Sequence, residues 1–159
     1  MKILFVCLGN ICRSPMAEGI LRHLLKEKGL DKIVTVHSAG TEHYHVGRTA
    51  DPRATRTSNK YGVDISNHRA RQVVAKDFHG YDRIYSMAVD VQEELEALAP
   101  KNLVHKASLF MDLVAPGING SVPDPWYGDE AGFAPVYELI REGCERIVEE
   151  IENGNAEYK

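Results

Sequence analysis

The beginning of the chain constrains the fold most strongly, because an apolar segment there runs directly into a tight loop and a helix. Residues Lys2–Cys7 form a short and almost wholly apolar run, which is typical of a strand covered on both faces. Gly9 and Asn10 then turn the chain. Ser14 is expected to cap the following helix, and Pro15 fits its first turn. This order of strand, loop and helix predicts the first unit of an α/β fold.

The rest of the chain continues the alternation of strands and helices. Further strands are predicted over Ile33–His37, ended by Ser38-Ala39-Gly40, over Asp82–Met87, and within Leu103–Phe110. Helices are predicted up to Gly29, from Asp51-Pro52 to Gly62, after a capping Asp90, and along an apolar stripe over 133–151 that includes Cys144. Such alternation implies a parallel sheet with helices on both faces. Ligands in such folds bind beyond the carboxyl ends of the strands.

Length and composition favour one compact domain over residues 1–159. With 43% apolar residues, 26% charged residues and a formal net charge of -4, the chain resembles an ordinary globular protein. The sequence contains no Lys/Arg-rich run of the kind that would indicate nucleic-acid binding. The apolar run Ile3–Leu8 is too short for a signal-peptide core, and no membrane-spanning segment is visible, so we expect a cytoplasmic protein. Three cysteines, an odd number, do not indicate a disulfide framework.

The loop Cys7–Ser14 combines several features of an anion-binding nucleophile site. Backbone amides between a strand and a helix start can converge on one anion, and the helix dipole favours negative charge there. Arg13 adds a planar fork that can grip two phosphate oxygens. Cys7 lies inside this positive field, which favours its thiolate, a strong nucleophile towards phosphorus. The alternative is a simple turn with a buried cysteine and a surface arginine.

A second candidate region is the long Gly- and Pro-rich segment Met111–Gly132, since loops of this length are uncommon in compact domains unless they are functional. Asp124 stands between two prolines that restrict the backbone. Taken alone, an aspartate in that position is usually a turn former. Trp126 and Tyr127 follow it, and Tyr44 lies in another loop; such aromatics either wall a binding slot or pack beneath their loops.

Several motifs together resemble the low-molecular-weight protein tyrosine phosphatase family. They appear in the family's order and span nearly the whole chain: Cys7–Glu18, Ser38–Gly40, Asp51–Ala54, His68–Gln72 and Asp124–Tyr127. The resemblance implies a four-stranded parallel sheet flanked by helices on both faces, a three-layer flavodoxin- or Rossmann-like α/β fold. It also implies hydrolysis of phosphotyrosine through a phosphocysteine intermediate, without metal or organic cofactor.

The resemblance further implies a role for individual residues. Cys7 matches the nucleophile, Arg13 the phosphate-binding arginine, and Asp124 the general acid that later acts as base. Ser14 matches the serine that stabilises the thiolate. Asn10, Ser38 and His68 match the network that supports the loop. The remaining phosphate- or substrate-binding positions are Leu8, Gly9, Asn10, Ile11, Cys12, Ser14, Tyr44, Trp126 and Tyr127.

The expected substrates are phosphotyrosine-containing proteins, and the expected product is inorganic phosphate. The expected assembly is a monomer or weak dimer.

His43 and His45 lack the companion ligands of a metal site. Cys12 is either a small filler or a thiol that resolves oxidised Cys7 as a disulfide. Ala88 stands where many members of the family carry an aspartate.

Two alternative reactions on the same fold are weighed against phosphotyrosine hydrolysis. Arsenate reduction requires additional cysteines near the third strand, and residues 81–100 contain none. Phosphoarginine hydrolysis is associated with a threonine in the cysteine loop, at the position that Ile11 occupies here. Ile11 therefore favours the tyrosine-directed reaction.

Overall fold

The computed structural model describes residues 1–154; residues 155–159, the end of the predicted domain, lie outside the described residues. The four strands are β1 (Lys2–Cys7), β2 (Thr35–Gly40), β3 (Arg83–Ser86) and β4 (Ala107–Leu109). They form one sheet in the order β2-β1-β3-β4, and every neighbouring pair is parallel. The predicted four-stranded parallel sheet is confirmed.

Helices pack on both faces of this sheet. They are α1 (Arg13–Glu27), α2 (Pro52–Lys60), α3 (Asp77–Gly80), α4 (Val89–Leu98) and α5 (Phe133–Glu152). Short 3₁₀ turns lie at Val104–Lys106, Phe110–Leu113, Pro125–Tyr127 and Glu130–Gly132. Within residues 1–154, none of these helices combines the length and apolar character needed to cross a membrane.

Strand β1 is buried on both faces, because its side chains alternate between two hydrophobic cores. Ile3, Phe5 and Cys7 belong to the core that also contains apolar residues of α1 and α5. Leu4 and Val6 belong to the core that contains apolar residues of α4. The alternation explains why nearly every residue of this strand is apolar, and it confirms the three-layer arrangement.

The strand order places the loop after β1 at a switch point of the topology. From β1 the chain proceeds to β2 on one side, and β3 lies on the other. Crevices at such points, beyond the carboxyl ends of the strands, are the usual ligand sites of open α/β sheets. The loop 7–14 occupies this position.

Two of the predicted helix caps are wrong. Helix α1 begins at Arg13 with Cys12 at its N-cap position, so Ser14 is already helical, and its hydroxyl lies against Cys7 Sγ. Helix α4 begins at Val89, which puts Asp90 inside its first turn instead of at the cap. There a carboxylate still interacts favourably with the helix dipole. Asp51, by contrast, caps α2 by accepting a hydrogen bond from Arg53 N, and the helix starts at Asp51-Pro52 as predicted.

The predicted boundaries of the second strand are also wrong, by two or three residues. Ile33 is exposed, and β2 begins at Thr35 and continues through Ser38-Ala39-Gly40, which were predicted to end it. Pairing with β1 extends as far as Cys7 opposite Gly40, so the partner strand determines where β2 ends. The short helix α3 was not predicted, because four residues carry too little periodicity.

Candidate active site

Cys7 ends β1 with its thiol buried beneath the loop that leads into α1. Its Sγ lies 2.9 Å from Ser14 Oγ and accepts a hydrogen bond of 3.3 Å from the backbone N–H of Asn10. The Ser14 hydroxyl also accepts a hydrogen bond from Asn10 Nδ2 at 2.8 Å, and it lies 3.4 Å from the Ala39 carbonyl oxygen, so its hydrogen can point to the sulfur or to that carbonyl. The sulfur therefore has one backbone N–H donor and one hydroxyl beside it.

Asn10 holds the loop in shape through both its backbone and its side chain. It is fully buried and adopts a left-handed backbone with φ of 57°, a conformation that asparagine tolerates better than most residues. Its Nδ2 also donates to Ser38 Oγ at 3.0 Å, and its Oδ1 accepts from Arg71 N at 3.0 Å. The conformation is therefore fixed by hydrogen bonds from two separate segments of the chain.

The support extends to a second layer behind Asn10. Ser38 Oγ donates to a carboxylate oxygen of Glu18 on α1, and the His68 Nε2 lies 2.7 Å from the carbonyl oxygen of Asn10. His68 Nδ1 lies 4.0 Å from Glu18 Oε1. Ser38 and His68 thus both contact Asn10 of the loop, through side chains that belong to β2 and to the segment after α2.

Burial lowers the pKa of His68, and the hydrogen bond to Asn10 together with the charge of Glu18 opposes that shift only in part. His68 is consequently neutral at neutral pH. A carbonyl oxygen can only accept a hydrogen bond, so the neutral ring carries its hydrogen on Nε2 and donates it to Asn10.

Arg13 and Asp124 meet at the open side of the loop. The buried guanidinium of Arg13 donates to the Val122 carbonyl oxygen at 3.1 Å and forms an ion pair of 3.3 Å with Asp124 Oδ2. Asp124 also accepts a hydrogen bond of 3.1 Å from Trp126 N, which starts the 3₁₀ turn that follows it. The carboxylate therefore faces the same space as the cysteine loop, although 111 residues separate it from Arg13 in the sequence.

A cleft of about 240 Å³ opens above Cys7. Its lining contains most of the predicted site residues together with His45, in full Cys7, Leu8, Gly9, Ile11, Cys12, Arg13, Tyr44, His45, Asp124, Trp126 and Tyr127. The side chains of Tyr44 and Tyr127 are 70% and 77% exposed, so they stand at the mouth instead of packing beneath their loops. A slot with an anion site at its floor and aromatic walls suits a flat ring that carries a phosphate.

Two of the predicted binding residues do not line this cleft. Asn10 and Ser14 lie buried behind the loop, where they hydrogen-bond to the Cys7 sulfur and to each other. A larger cleft, of about 690 Å³, includes Ser38 and His68 in its lining but not Cys7. It therefore borders the supporting network and not the nucleophile.

Three residues that the sequence analysis assigned no role contact this region. His45 lines the cleft, Glu18 accepts the hydrogen bond of Ser38, and Arg53 donates to the loop that carries Asp124. Glu18 and Arg53 fall inside the family-like motifs, yet their partners are distant in the sequence. No local pattern connects such pairs.

The other two cysteines are both buried and unpaired. Burial, together with the negative charge of Asp51 and of Cys7, raises the pKa of Cys12. Cys144 lies in the core on α5, as predicted, and burial raises its pKa as well. Both groups are held as thiols. In residues 1–154, no group of three or more His, Cys, Asp or Glu side chains is arranged to hold a metal ion.

Comparisons with known proteins agree with this geometry. Residues 2–157 match the family model described as low molecular weight phosphotyrosine protein phosphatase. A Drosophila melanogaster relative of that description is 41% identical over 152 residues, covering 94% of this chain and 96% of its own. A Schizosaccharomyces pombe relative is 38% identical over 138 residues, covering 86% of this chain and 88% of its own.

A solved structure gives the same result for the fold. The crystal structure of a protein tyrosine phosphatase from Entamoeba histolytica superposes with a TM-score of 0.91 at 36% identity, covering 98% of this chain and 99% of its own. The sequence match and the structural superposition therefore both extend over nearly the whole length of this chain. The chain belongs to the low molecular weight phosphotyrosine protein phosphatase family.

Proposed function

We propose that this chain, a hydrolase of the low molecular weight protein-tyrosine phosphatase type, removes phosphate from phosphotyrosine in proteins in two steps at Cys7. The observation that supports the proposal most strongly is the surroundings of the Cys7 sulfur. It accepts a hydrogen bond from the Asn10 backbone and lies 2.9 Å from the Ser14 hydroxyl, at the floor of a cleft that also holds Arg13 and Asp124.

In the first step, Cys7 Sγ attacks phosphorus while the bond from phosphorus to the tyrosine oxygen breaks. Loop amides and the remaining N–H groups of Arg13 stabilise the charge on the transferred phosphoryl oxygens. A phenolate is a poor leaving group, with a pKa near about 10 for phenol, so a proton donor assists its departure. Asp124 supplies that proton, and neutral tyrosine leaves.

The ion pair between Arg13 and Asp124 suits this acid role once substrate is bound. When a phosphate dianion binds to Arg13, it replaces the Asp124 carboxylate as the ion-pair partner of the guanidinium. Asp124 is then free of this ion pair while it still lines the cleft above Cys7.

In the second step, water attacks the phosphocysteine. Asp124, now a carboxylate, accepts the proton of that water, and the bond from phosphorus to sulfur breaks. Inorganic phosphate leaves and the Cys7 thiolate is restored. Ser14 donates to the departing sulfur through its 2.9 Å contact, which eases this step. The cycle uses no metal and no organic cofactor.

The walls of the cleft support selectivity for phosphotyrosine. Tyr44, Trp126 and Tyr127 offer aromatic surface to a phenyl ring, and Ile11 adds an apolar contact in the cysteine loop. A phosphoserine side chain is shorter and has no ring to contact these walls. We therefore propose phosphotyrosine-containing proteins, not phosphoserine or phosphoarginine, as the substrates.

Cysteine usage and net charge indicate the setting in which the enzyme acts. Three unpaired cysteines suit the reducing cytoplasm. We propose a single catalytic domain over residues 1–159 that acts there as a monomer or weak dimer. A net charge of -4 supports neither nucleic-acid binding nor attachment to an anionic membrane surface.

The proposal is tested by comparing rates on peptides that carry phosphotyrosine, phosphoserine or phosphoarginine, and by assaying arsenate-dependent thioredoxin oxidation. We expect turnover of the phosphotyrosine peptide above the others by at least about a hundredfold, and its loss in Cys7→Ser. Wild-type-like turnover by Cys7→Ser refutes the nucleophile. Equal or faster turnover of phosphoarginine or arsenate refutes the substrate class.

A further inference from the structure

The loop that carries Asp124 is attached to the body of the protein by the guanidinium of Arg53. Arg53 Nη1 donates to the Gly128 carbonyl oxygen at 2.9 Å, and Nη2 donates to the Trp126 carbonyl oxygen at 3.2 Å. Trp126 belongs to the 3₁₀ turn Pro125–Tyr127, which Asp124 caps, and Gly128 directly follows that turn. One side chain thus binds two backbone groups of the turn that positions the carboxylate.

Arg53 is itself held in one orientation. Its Nε donates to Asp51 Oδ1 at 3.0 Å and its Nη2 to Asp51 Oδ2 at 2.9 Å, a bidentate pair. The guanidinium carbon also lies 4.8 Å from the centre of the Phe133 ring. Burial alone raises the pKa of Asp51, but the hydrogen bonds from Arg53 outweigh it and lower that pKa. Asp51 is therefore a carboxylate, and the fork of Arg53 is preorganised.

Asp51 connects this arrangement to the cysteine loop. Its backbone N–H donates to the Ile11 carbonyl oxygen at 2.8 Å, and its carboxylate caps α2. A continuous path therefore runs from the cysteine loop at Ile11, through Asp51 and Arg53, to the carbonyls beside Asp124. Both ends of this path line the cleft above Cys7.

We infer that Arg53 is a positioning residue. By fixing the turn Pro125–Tyr127 to the cysteine loop, it holds the Asp124 carboxylate over the phosphate site. The inference rests on the proposed function and assigns Arg53 no contact with substrate. Proton transfer to a leaving group depends steeply on distance, and a displacement of about 1 Å can cost on the order of a hundredfold. Loss of Arg53 therefore weakens leaving-group protonation while the nucleophile remains intact.

The test compares kcat/KM of Arg53→Ala on phenyl phosphate and on dinitrophenyl phosphate. This parameter reports the steps up to departure of the leaving group, and dinitrophenolate leaves without a proton. We expect a fall of about tenfold on phenyl phosphate and of less than about twofold on dinitrophenyl phosphate. Arg53→Lys, which cannot form the bidentate pair, is expected to give intermediate rates on phenyl phosphate.

Arg56→Ala is the matched control. Arg56 is one turn further along α2 and reaches the same loop, but only through side-chain contacts of its Nε and Nη2 with the Glu130 carboxylate at the surface. Its removal is expected to leave both rates unchanged. A melting temperature and the inhibition constant of tungstate, measured for each variant, report folding and the state of the cysteine loop.

The outcomes separate this inference from the proposed function. If Asp124→Ala shows the leaving-group dependence and Arg53→Ala does not, or if Arg53→Ala loses both rates equally and binds tungstate more weakly, the role of Arg53 is wrong. If Asp124→Ala itself shows no dependence, the acid assignment fails first. In the double variant we expect no loss on phenyl phosphate beyond that of Asp124→Ala, and additive losses would overturn the inference.

Discussion

At the scale of single residues, Asn10 determines the geometry of the nucleophile. Its backbone and side chain together contact Cys7, Ser14, Ser38 and Arg71 from a fully buried position. Aspartate would match its shape but lose both amide donors, and alanine would remove one hydrogen bond each from the buried hydroxyls of Ser14 and Ser38 and from the partly buried N–H of Arg71. The residue is thus defined by hydrogen bonding and not only by its left-handed backbone.

Asn10→Ala is expected to lower the free energy of unfolding by about 3 kcal/mol and kcat/KM on phosphotyrosine peptide by roughly a hundredfold. Urea denaturation and steady-state rates check both values. The control is Asn119→Ala, because Asn119 has a similar φ of 54° but is exposed. Equal destabilisation by the two variants would mean that backbone strain, and not the hydrogen-bond network, explains the effect of Asn10.

At the scale of elements, the loop depends on how closely β2 approaches it. A Cβ added to Gly40 would lie 2.8 Å from the Leu8 carbonyl oxygen and 3.0 Å from Asn10 N, both of which are backbone atoms. The next residues pair with the same loop, since Thr41 N donates to Cys7 O and Glu42 N to Leu8 O. Glycine at this position therefore permits the contact that closes the loop.

Gly40→Ala is expected to displace the cysteine loop, which lowers activity and destabilises the fold by about 1–3 kcal/mol. Thermal denaturation and the tungstate inhibition constant are the measurements. Gly80→Ala serves as control, because a Cβ at Gly80 meets nothing within 4 Å and its backbone requires no glycine. Unchanged tungstate binding in Gly40→Ala would contradict the proposed contact.

The elements also show what the sequence can and cannot predict. Apolar runs and helical stripes were sufficient for β1 and α5, since both are buried along most of their length. The caps at Ser14 and Asp90 were mispredicted because each residue type suits either the cap or the first turn. The extent of β2 depends on its partner strand, and contacts such as that of Arg53 with Gly128 join residues 75 apart. Only the folded chain defines these features.

At the scale of the whole molecule, stability should depend on pH through two partly buried histidines. Burial lowers the pKa of His68 and of His37 below the ordinary value of 6.5. The folded chain therefore resists protonation of these rings more than the unfolded chain does. The stability that the neutral rings contribute is fully present above pH 6.5, the ordinary pKa of histidine. It is lost as the pH falls towards the lower pKa values of the two rings in the folded chain.

We expect the free energy of unfolding to fall between about pH 7 and pH 5, with a shallower fall in His68→Gln. Urea denaturation across this range gives the two slopes. The carboxylates whose pKa the fold lowers, Asp51, Asp64 and Glu130, act only at more acidic pH. Parallel slopes for wild type and His68→Gln would show that His68 is not the group responsible.

The most direct measurement is the rate at which Cys7 is alkylated by iodoacetamide at neutral pH, followed by mass spectrometry of the modified peptide. Cys12 and Cys144 are both buried and have raised pKa values, so they serve in the same sample as internal references for slowly labelled thiols. We expect Cys7 to be alkylated at least about tenfold faster than these two cysteines, with protection by tungstate. A Cys7 rate no faster than those of Cys12 and Cys144, or labelling that tungstate does not slow, would contradict a reactive nucleophile in an anion-binding loop.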